Sequence, residues 1–143
     1  MLCRRAAWLV SRMANSRNKG AQFERDVAKR LYQLLGVNFA RDLDQYRQAD
    51  HGDLIADDPD FPFVIECKRY AAGTGCMPGW WDQAWRAAQR TDLLPCVIYK
   101  YDRRDIRCVI PLGAVFACHH DYTIEMDLET FAYICREIMA DDD

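Results

Sequence analysis

The stretch that decides the fold is residues 52–68, which read GDLIADDPDFPFVIECK. Residues 52–56 have the pattern of a strand, and residues 63–68 form a second run that is rich in β-forming side chains. Residues 58–60, Asp-Pro-Asp, lie between the two runs and are typical of a turn. The stretch therefore predicts a β-hairpin.

This hairpin brings two carboxylates together beside a lysine. The midpoint between Asp53 and Glu66 falls in the turn, so the two residues lie roughly opposite each other, with Cβ atoms about 4.5–5.5 Å apart. Because side chains alternate along a strand, Glu66 and Lys68 share one face, and Ile65 and Cys67 share the other. A plain alternative is an edge hairpin with ordinary surface charges.

Such a set of side chains suits the hydrolysis of a phosphodiester. Two adjacent carboxylates repel each other unless a cation compensates them, and Mg²⁺ prefers one or two protein carboxylates together with water and phosphate oxygens. A lysine beside the cation can orient or deprotonate an attacking water, or stabilise developing negative charge.

The remaining elements predict one α/β domain. A first helix is expected from Ser16 or Gly20 to Leu35, with an apolar stripe and with Gly36 at its end. Glu24 lies at the end of a row of apolar residues on this helix. A glutamate in that position is most simply interpreted as a surface residue. The other expected elements are a short strand at 37–40, a loop at 71–79, a helix at 80–91, strands at 96–100 and 106–110, and a final helix capped by Asp127.

This order predicts a mixed β-sheet flanked by helices. We expect residues 1–15 to be a poorly ordered leader, residues 16–140 to be a single domain, and residues 141–143 to be an acidic tail.

Composition narrows the class of protein. The chain has 143 residues, of which 50% are hydrophobic, so it can bury a core, and no run of apolar residues is long enough for a membrane span. No signal-peptide pattern is present, which predicts a cytoplasmic protein. The seven cysteines include no C-x-x-C pair and are expected to be reduced core thiols.

The net charge is −3, but residues 1–30 carry eight Lys and Arg against two acids, so this end could face phosphates.

The order and spacing of these motifs resemble the PD-(D/E)XK nuclease superfamily, and within it the Holliday junction resolvase-like and phage-encoded relatives. The matching pieces are KGAQFE at 19–24, GDL at 52–54, IECK at 65–68 and WDQA at 81–84, followed by the strand at 96–100. Gly52 stands where the family name has its proline. The resemblance implies a restriction-endonuclease-like fold with an αβββαβ core.

The resemblance also implies roles for individual residues. Asp53 and Glu66 would bind Mg²⁺, which Mn²⁺ could replace, and Lys68 would serve the catalytic water. Glu24 would join the metal from the first helix, directly or through a water. Gln83 would approach the site from the second helix, although a solvent-facing glutamine is the plain alternative there.

Other side chains have two open interpretations. Arg17, Lys19, Arg41, Arg47 and Arg69 could contact DNA phosphates or could only add solubility. The tryptophans at 80, 81 and 85 could stack on bases or belong to the core, and His51 could touch substrate or belong to a turn. The run Cys118-His119-His120-Asp121 contains residue types that bind zinc. A zinc site is not expected there, because adjacent histidines point apart in a regular element.

These inferences together predict a Mg²⁺-dependent DNA endonuclease that acts on branched DNA. The alternatives are a nuclease for DNA ends or flaps, and a non-catalytic nucleic-acid-binding module of the same fold. Resolving a four-way junction takes two incisions, so a homodimer is expected. Its interface is expected on the tryptophan-bearing helix or on the final helix, at Phe131, Ile134 and Ile138.

Overall fold

The computed structural model describes residues 4–41, 54–118 and 121–141, and for residues 4–17 it describes the helical backbone alone. The elements are α1 (Arg4–Leu35), β1 (Phe39–Arg41), β2 (Leu54–Ala56), β3 (Phe63–Tyr70), α2 (Pro78–Thr91), β4 (Leu94–Tyr101), β5 (Arg107–Pro111), a 3₁₀ turn (Leu112–Ala114), β6 (Thr123–Met126) and α3 (Leu128–Asp141). The predicted α/β class and its αβββαβ core are confirmed, with β5, β6 and α3 added after the core.

The six strands form one mixed sheet whose spatial order is the order of the chain. Among the strands in the described residues, β3 and β4 pair in parallel, and the other neighbouring strands pair antiparallel. A parallel pair needs a crossover connection, and α2 provides it. This crossover places α2 directly over β3 and β4, the two central strands.

The predicted hairpin is present as β2 and β3. Leu54 pairs with Ile65, which is the register that the midpoint argument requires. At the turn, the backbone N–H of Asp60 donates to Asp58 Oδ1 at 2.9 Å, and that of Phe61 donates to the carbonyl of Asp58 at 3.2 Å. A carboxylate that accepts from the backbone two residues onward is the reason aspartate favours turns.

The sheet separates two apolar layers. On one face, α1 and α3 pack against Ile65 and Cys67 of β3. On the other face, α2 packs against Val64 of β3 and against Val97 and Tyr99 of β4. Because side chains alternate along β3, Glu66 and Lys68 lie on the α2 face, as the alternation predicts.

Helix ends follow the capping signals in the sequence. Gly36 has φ +71° and its N–H donates to the carbonyl of Tyr32 at 2.8 Å, which ends α1. Asp127 Oδ1 accepts from the backbone N–H of Thr130 at 2.8 Å, which begins α3. Hydrogen bonds from Thr130 also lower the pKa of Asp127.

Most element bounds differ from the expected ones by one to three residues, and the start of α1 and the presence of β6 differ most. Helix α1 begins at Arg4, earlier than the predicted Ser16 or Gly20, because residues 4–14 contain good helix formers and no proline. Strand β6 was not predicted, because its four residues give only a brief alternation of Ile124 and Met126 inward. The division of the chain into leader, domain and tail stays a prediction.

The cysteines of the described residues are reduced thiols, but Cys76 and Cys118 are half-buried and so lie outside the core that was expected for them. Cys96, Cys108 and Cys135 are fully buried in the core, and burial raises the pKa of the Cys135 thiol to about 12. Within the described ranges, no helix is both long enough and apolar enough to cross a membrane.

Candidate active site

A buried carboxylate, a lysine and a glutamine meet on the α2 face of the sheet. Glu66 is 1% exposed, and Lys68 Nζ lies 3.4 Å from Glu66 Oε1. The same Nζ donates a hydrogen bond to Gln83 Oε1 at 3.0 Å. Lys68 is thus held between an acid from its own strand and an amide from the crossover helix.

The local sequence explains this placement. Strand β3 is buried from Phe63 through Cys67 and becomes accessible at Lys68, so the ammonium group lies where the core meets solvent. Helix α2 packs across β3 and β4, and the hydrogen bond from Lys68 places the Gln83 amide beside β3. A buried carboxylate is costly unless it is compensated, and the neighbouring Lys68 lowers that cost.

Glu24 is buried but is engaged on the other side of the sheet. It is 7% exposed, so the plain interpretation of a surface glutamate is wrong. Arg41 Nε on β1 donates to Glu24 Oε2. Helix α1, which carries Glu24, packs on the face opposite to Lys68 and Gln83. Arg41 therefore compensates a protein carboxylate here, and a contact with DNA phosphate stays a prediction.

Several of the residues singled out in the sequence lie outside the described residues: Asp53, Arg47, His51, and His119 and His120 of the Cys118–Asp121 run. Within the part of the chain that is described, no group of three or more His, Cys, Asp and Glu side chains could hold a metal ion. The metal set of Asp53, Glu66 and Glu24 stays a prediction. Arg17 lies in α1, where the side chain is not described.

Two of the expected DNA-binding cations converge on one carboxylate. Lys19 Nζ of α1 and Arg69 Nη2 of β3 each lie 2.6 Å from Asp102 Oδ1, in the turn after β4. Hydrogen bonds from Lys19 and then from Arg69 hold the pKa of Asp102 below its ordinary value. These two cations therefore lie together although they are far apart in the sequence.

Further cations surround this point and were missed by the sequence analysis. Lys100 pairs with Arg69 across β3 and β4. Arg103 and Arg104 are exposed in the turn next to Asp102, and Arg103 has φ +62°, an uncommon conformation for a residue that is not glycine. The parallel pairing brings the ends of β3 and β4 together, and that long-range contact is what the sequence pattern did not reveal. Lys19, Lys68, Arg69, Lys100, Arg103 and Arg104 are called the basic edge below.

Aromatic side chains fill the α2 face beside Lys68. Tyr70 stacks on Trp80 with ring centroids 5.3 Å apart and an interplanar angle of 13°. Trp80 also contacts Tyr99 and Tyr101 of β4. Trp81 and Trp85 pack in the same layer, so the tryptophans act mainly as packing residues, and Tyr70 presents the exposed ring.

A cleft of about 400 Å³ continues from this layer toward β6. In it, the Tyr99 hydroxyl donates to Glu125 Oε1 at 2.5 Å and Arg107 Nε donates to Glu125 Oε2 at 3.1 Å. Burial and the hydrogen bond with Glu125 raise the pKa of Tyr99, so it remains a neutral donor. Tyr99, which lines this cleft, is the residue that pairs with Lys68 in the sheet.

Comparisons with known proteins agree with this architecture. The solved structure of Archaeoglobus fulgidus Hjc, described as a Holliday junction resolvase from an archaeal hyperthermophile, matches with a TM-score of 0.54 and 17% sequence identity, over 82% of this chain and 98% of that chain. At this identity the likeness shows the fold. Curated proteins give no significant match. A family model described as "Phage putative PDDEXK endonuclease" matches residues 15–138. Because that match spans most of the chain, the protein belongs to this phage PD-(D/E)XK endonuclease family.

Proposed function

We propose that the protein is a Mg²⁺-dependent DNA endonuclease that hydrolyses phosphodiester bonds of branched DNA in the cytoplasm, which is the host cytoplasm if the chain is phage-encoded. The observation that carries the proposal is buried Glu66 beside Lys68, with Gln83 holding the lysine from α2. A solvated surface hairpin would not bury its glutamate or fix its lysine from a second element.

The donor set of the hairpin fits a hard divalent cation. Glu66 supplies one buried carboxylate, and the Leu54–Ile65 register supports Asp53 as its partner. Mg²⁺ needs only one or two protein carboxylates because water and phosphate oxygens complete its octahedron, and Mn²⁺ accepts similar oxygen ligands. When bound, the metal would neutralise charge on the scissile phosphate. Glu24 is the further proposed contributor from α1, and using it would require Glu24 to leave Arg41 and to reach past the edge of the sheet from the α1 face.

Hydrolysis adds water across one P–O ester bond, and this chain positions the reacting groups. Lys68, fixed at two oxygens, lies where it can orient the attacking water or stabilise charge that develops on phosphorus-bound oxygen. The basic edge follows directly along β3 and offers phosphate contacts to the flanking strand. Binding and chemistry therefore lie at adjacent residues of β3, with Lys68 on the α2 face and Arg69 on the α1 face of the sheet.

The branched substrate is supported by the fold that the chain shares with a structure described as a Holliday junction resolvase. Two symmetric incisions would need two sites of this kind, so we also propose a homodimer. A nuclease for DNA ends or flaps would make one incision with a single copy of the same site. A non-catalytic binding module is disfavoured, because a buried carboxylate facing an approaching phosphate weakens binding unless a cation is present.

The test is nicking of supercoiled plasmid and of labelled four-way, flap and linear substrates, with Mg²⁺ or Mn²⁺ and with EDTA. We expect cleavage with metal and none with EDTA, with the four-way substrate cut fastest. Asp53→Asn and Lys68→Ala should each lower turnover by roughly 100-fold or more while the protein remains folded, as a cooperative melting transition would show. Lys29→Ala, an exposed lysine of α1, is the control and should cleave normally.

Each of these expected results has an outcome that would contradict it. Cleavage by Lys68→Ala at the wild-type rate would overturn the catalytic assignment. Equal cleavage of flap and four-way substrates would favour the end or flap nuclease. DNA binding without metal-dependent cleavage would favour the non-catalytic module.

A further inference from the structure

The arrangement around Asp102 resembles a bound phosphate. Lys19 and Arg69 come from different elements and both approach the same oxygen, Asp102 Oδ1, at 2.6 Å. Carboxylate and phosphate oxygens are bound by arginine and lysine with the same charge-assisted hydrogen bonds. A carboxylate that gathers two cations in this way occupies a position that suits a phosphate oxygen.

The arginine is held in place independently of Asp102. Arg69 Nη1 donates to the carbonyl of Tyr70 at 2.6 Å and lies 3.4 Å from the carbonyl of Lys100. The Arg69 side chain is 13% exposed, whereas Asp102 is 42% exposed. The guanidinium is thus fixed to the ends of β3 and β4, and the carboxylate is the more accessible partner.

A stabilising role accounts poorly for this cluster. Ion pairs between accessible side chains contribute little to stability because water screens them, and both Lys19 and Asp102 are more than a third exposed. The cluster instead lies where β3 and β4 end, beside Arg103 and Arg104, and Arg69 follows Lys68 on β3 but faces the α1 side of the sheet. A DNA strand that continues from Lys68 across this end of the sheet would reach the cluster.

We propose that Lys19 and Arg69 form a binding site for one phosphate of the DNA backbone, and that Asp102 occupies this site in the DNA-free protein. The inference rests on the proposed function, because the ligand is the backbone of the DNA substrate. When DNA binds, a backbone phosphate replaces the Asp102 carboxylate between the two cations. Asp102 therefore competes with DNA and lowers its affinity.

The experiment measures the binding of a fluorescein-labelled four-way junction and of a matched linear duplex in EDTA, so that no cleavage takes place. Asp102→Asn keeps the shape of the side chain and removes its charge. We expect about five-fold tighter binding, which is the order of one unit-charge interaction at about 4 Å in water. Asp105→Asn makes the same change of net charge in the same exposed turn and should bind within two-fold of the wild type.

A double variant shows whether the effect passes through the two cations. In a Lys19→Gln background, Asp102→Asn should tighten binding less, because one partner of the proposed phosphate is gone. Melting temperatures of all variants show whether each remains folded.

Three results would count against the inference. If Asp102→Asn bound no tighter than the wild type, or if Asp105→Asn tightened binding equally, the inference would fail while the nuclease proposal stood on its cleavage assay. If none of the proteins bound DNA, the inference would fail, and the cleavage assay with metal would decide the nuclease proposal separately.

Discussion

Lys68 shows how one side chain takes its chemical setting from two elements. Its own strand supplies Glu66 at 3.4 Å, and the crossover helix supplies Gln83 at 3.0 Å. The Glu66 carboxylate stabilises the positive charge of Lys68, whereas the neutral Gln83 amide fixes the position of the ammonium group. Removing the amide should therefore disturb the position of the ammonium group more than its electrostatic environment.

Gln83→Ala tests this division. We expect kcat to fall about ten-fold and KM to change less than two-fold, because misplacing a catalytic group raises the barrier without weakening substrate binding. Steady-state cleavage kinetics give both constants. Gln89→Ala is the matched control on the exposed side of the same helix. If Gln83 positions Lys68, Gln83→Glu should keep most of kcat, because it keeps an oxygen that accepts from Lys68. A purely structural role for Gln83 would instead lower the melting temperature of Gln83→Ala, and Gln83→Glu would also lose kcat.

At the residue scale, the sequence reveals local geometry better than long-range partners. The alternation that placed Glu66 and Lys68 on one face is a property of any strand, so it could be predicted. The burial of Glu24 and its contact with Arg41 depend on how α1 packs on the sheet, and no local period encodes that. Asp102 was missed for the same reason, since its partners are distant in sequence.

At the scale of elements, the loop between β3 and α2 is held against β4. The Tyr101 hydroxyl donates to the carbonyl of Gly75 at 2.7 Å. A Cβ added at Gly73 would lie 2.4–2.7 Å from the atoms of the Tyr101 ring. Tyr101 in turn packs on Trp80 and Tyr99, so this loop fixes the aromatic layer beside Lys68.

Gly73→Ala should therefore push the Tyr101 ring out of place. We expect a loss of about 1–3 kcal/mol in the free energy of unfolding, the usual cost of overpacking a buried side chain, measured by urea denaturation. Gly79→Ala is the control, because nothing lies within 4 Å of its added Cβ and alanine favours the helix. Equal stability of Gly73→Ala and the wild type would show that the loop does not press on Tyr101.

The elements themselves were largely predictable from periodicity and capping residues. Long strands such as β3 and β4 have many apolar positions, so their pattern is clear. Strand β6 has only four residues and depends on pairing with β5, so its local signal is weak. The start of α1 was misjudged because helix propensity continues before the apolar stripe begins.

For the whole molecule, the apolar surfaces that the sequence offered for a dimer are used inside the protomer. Phe131 is fully buried, and Ile134 and Ile138 pack against the core. The tryptophans of α2 pack on the sheet. Large apolar side chains that remain exposed include Phe116 and Tyr122 between β5 and β6, and Tyr133 on α3.

The homodimer remains a prediction with a direct test. Light scattering at micromolar concentration should give a mass near twice 16.7 kDa, with and without junction DNA. A monomer that stays monomeric on junction DNA would remove the paired-incision proposal and favour single-strand or flap cleavage. Repeating the measurement with salt separates dimerisation through apolar contacts from association through charge.

The chain-order arrangement of the sheet has a consequence for synthesis. Because each strand pairs with its neighbour in sequence, a nascent chain can add strands one at a time as they leave the ribosome, and such local pairing favours rapid folding. Helix α3 follows all six strands, and its Phe131 and Cys135 complete the core beneath Phe63 and Cys108. The growing protein therefore keeps the part of this sheet face that α1 does not cover exposed until α3 emerges, and during that interval it is most open to aggregation or to chaperone binding.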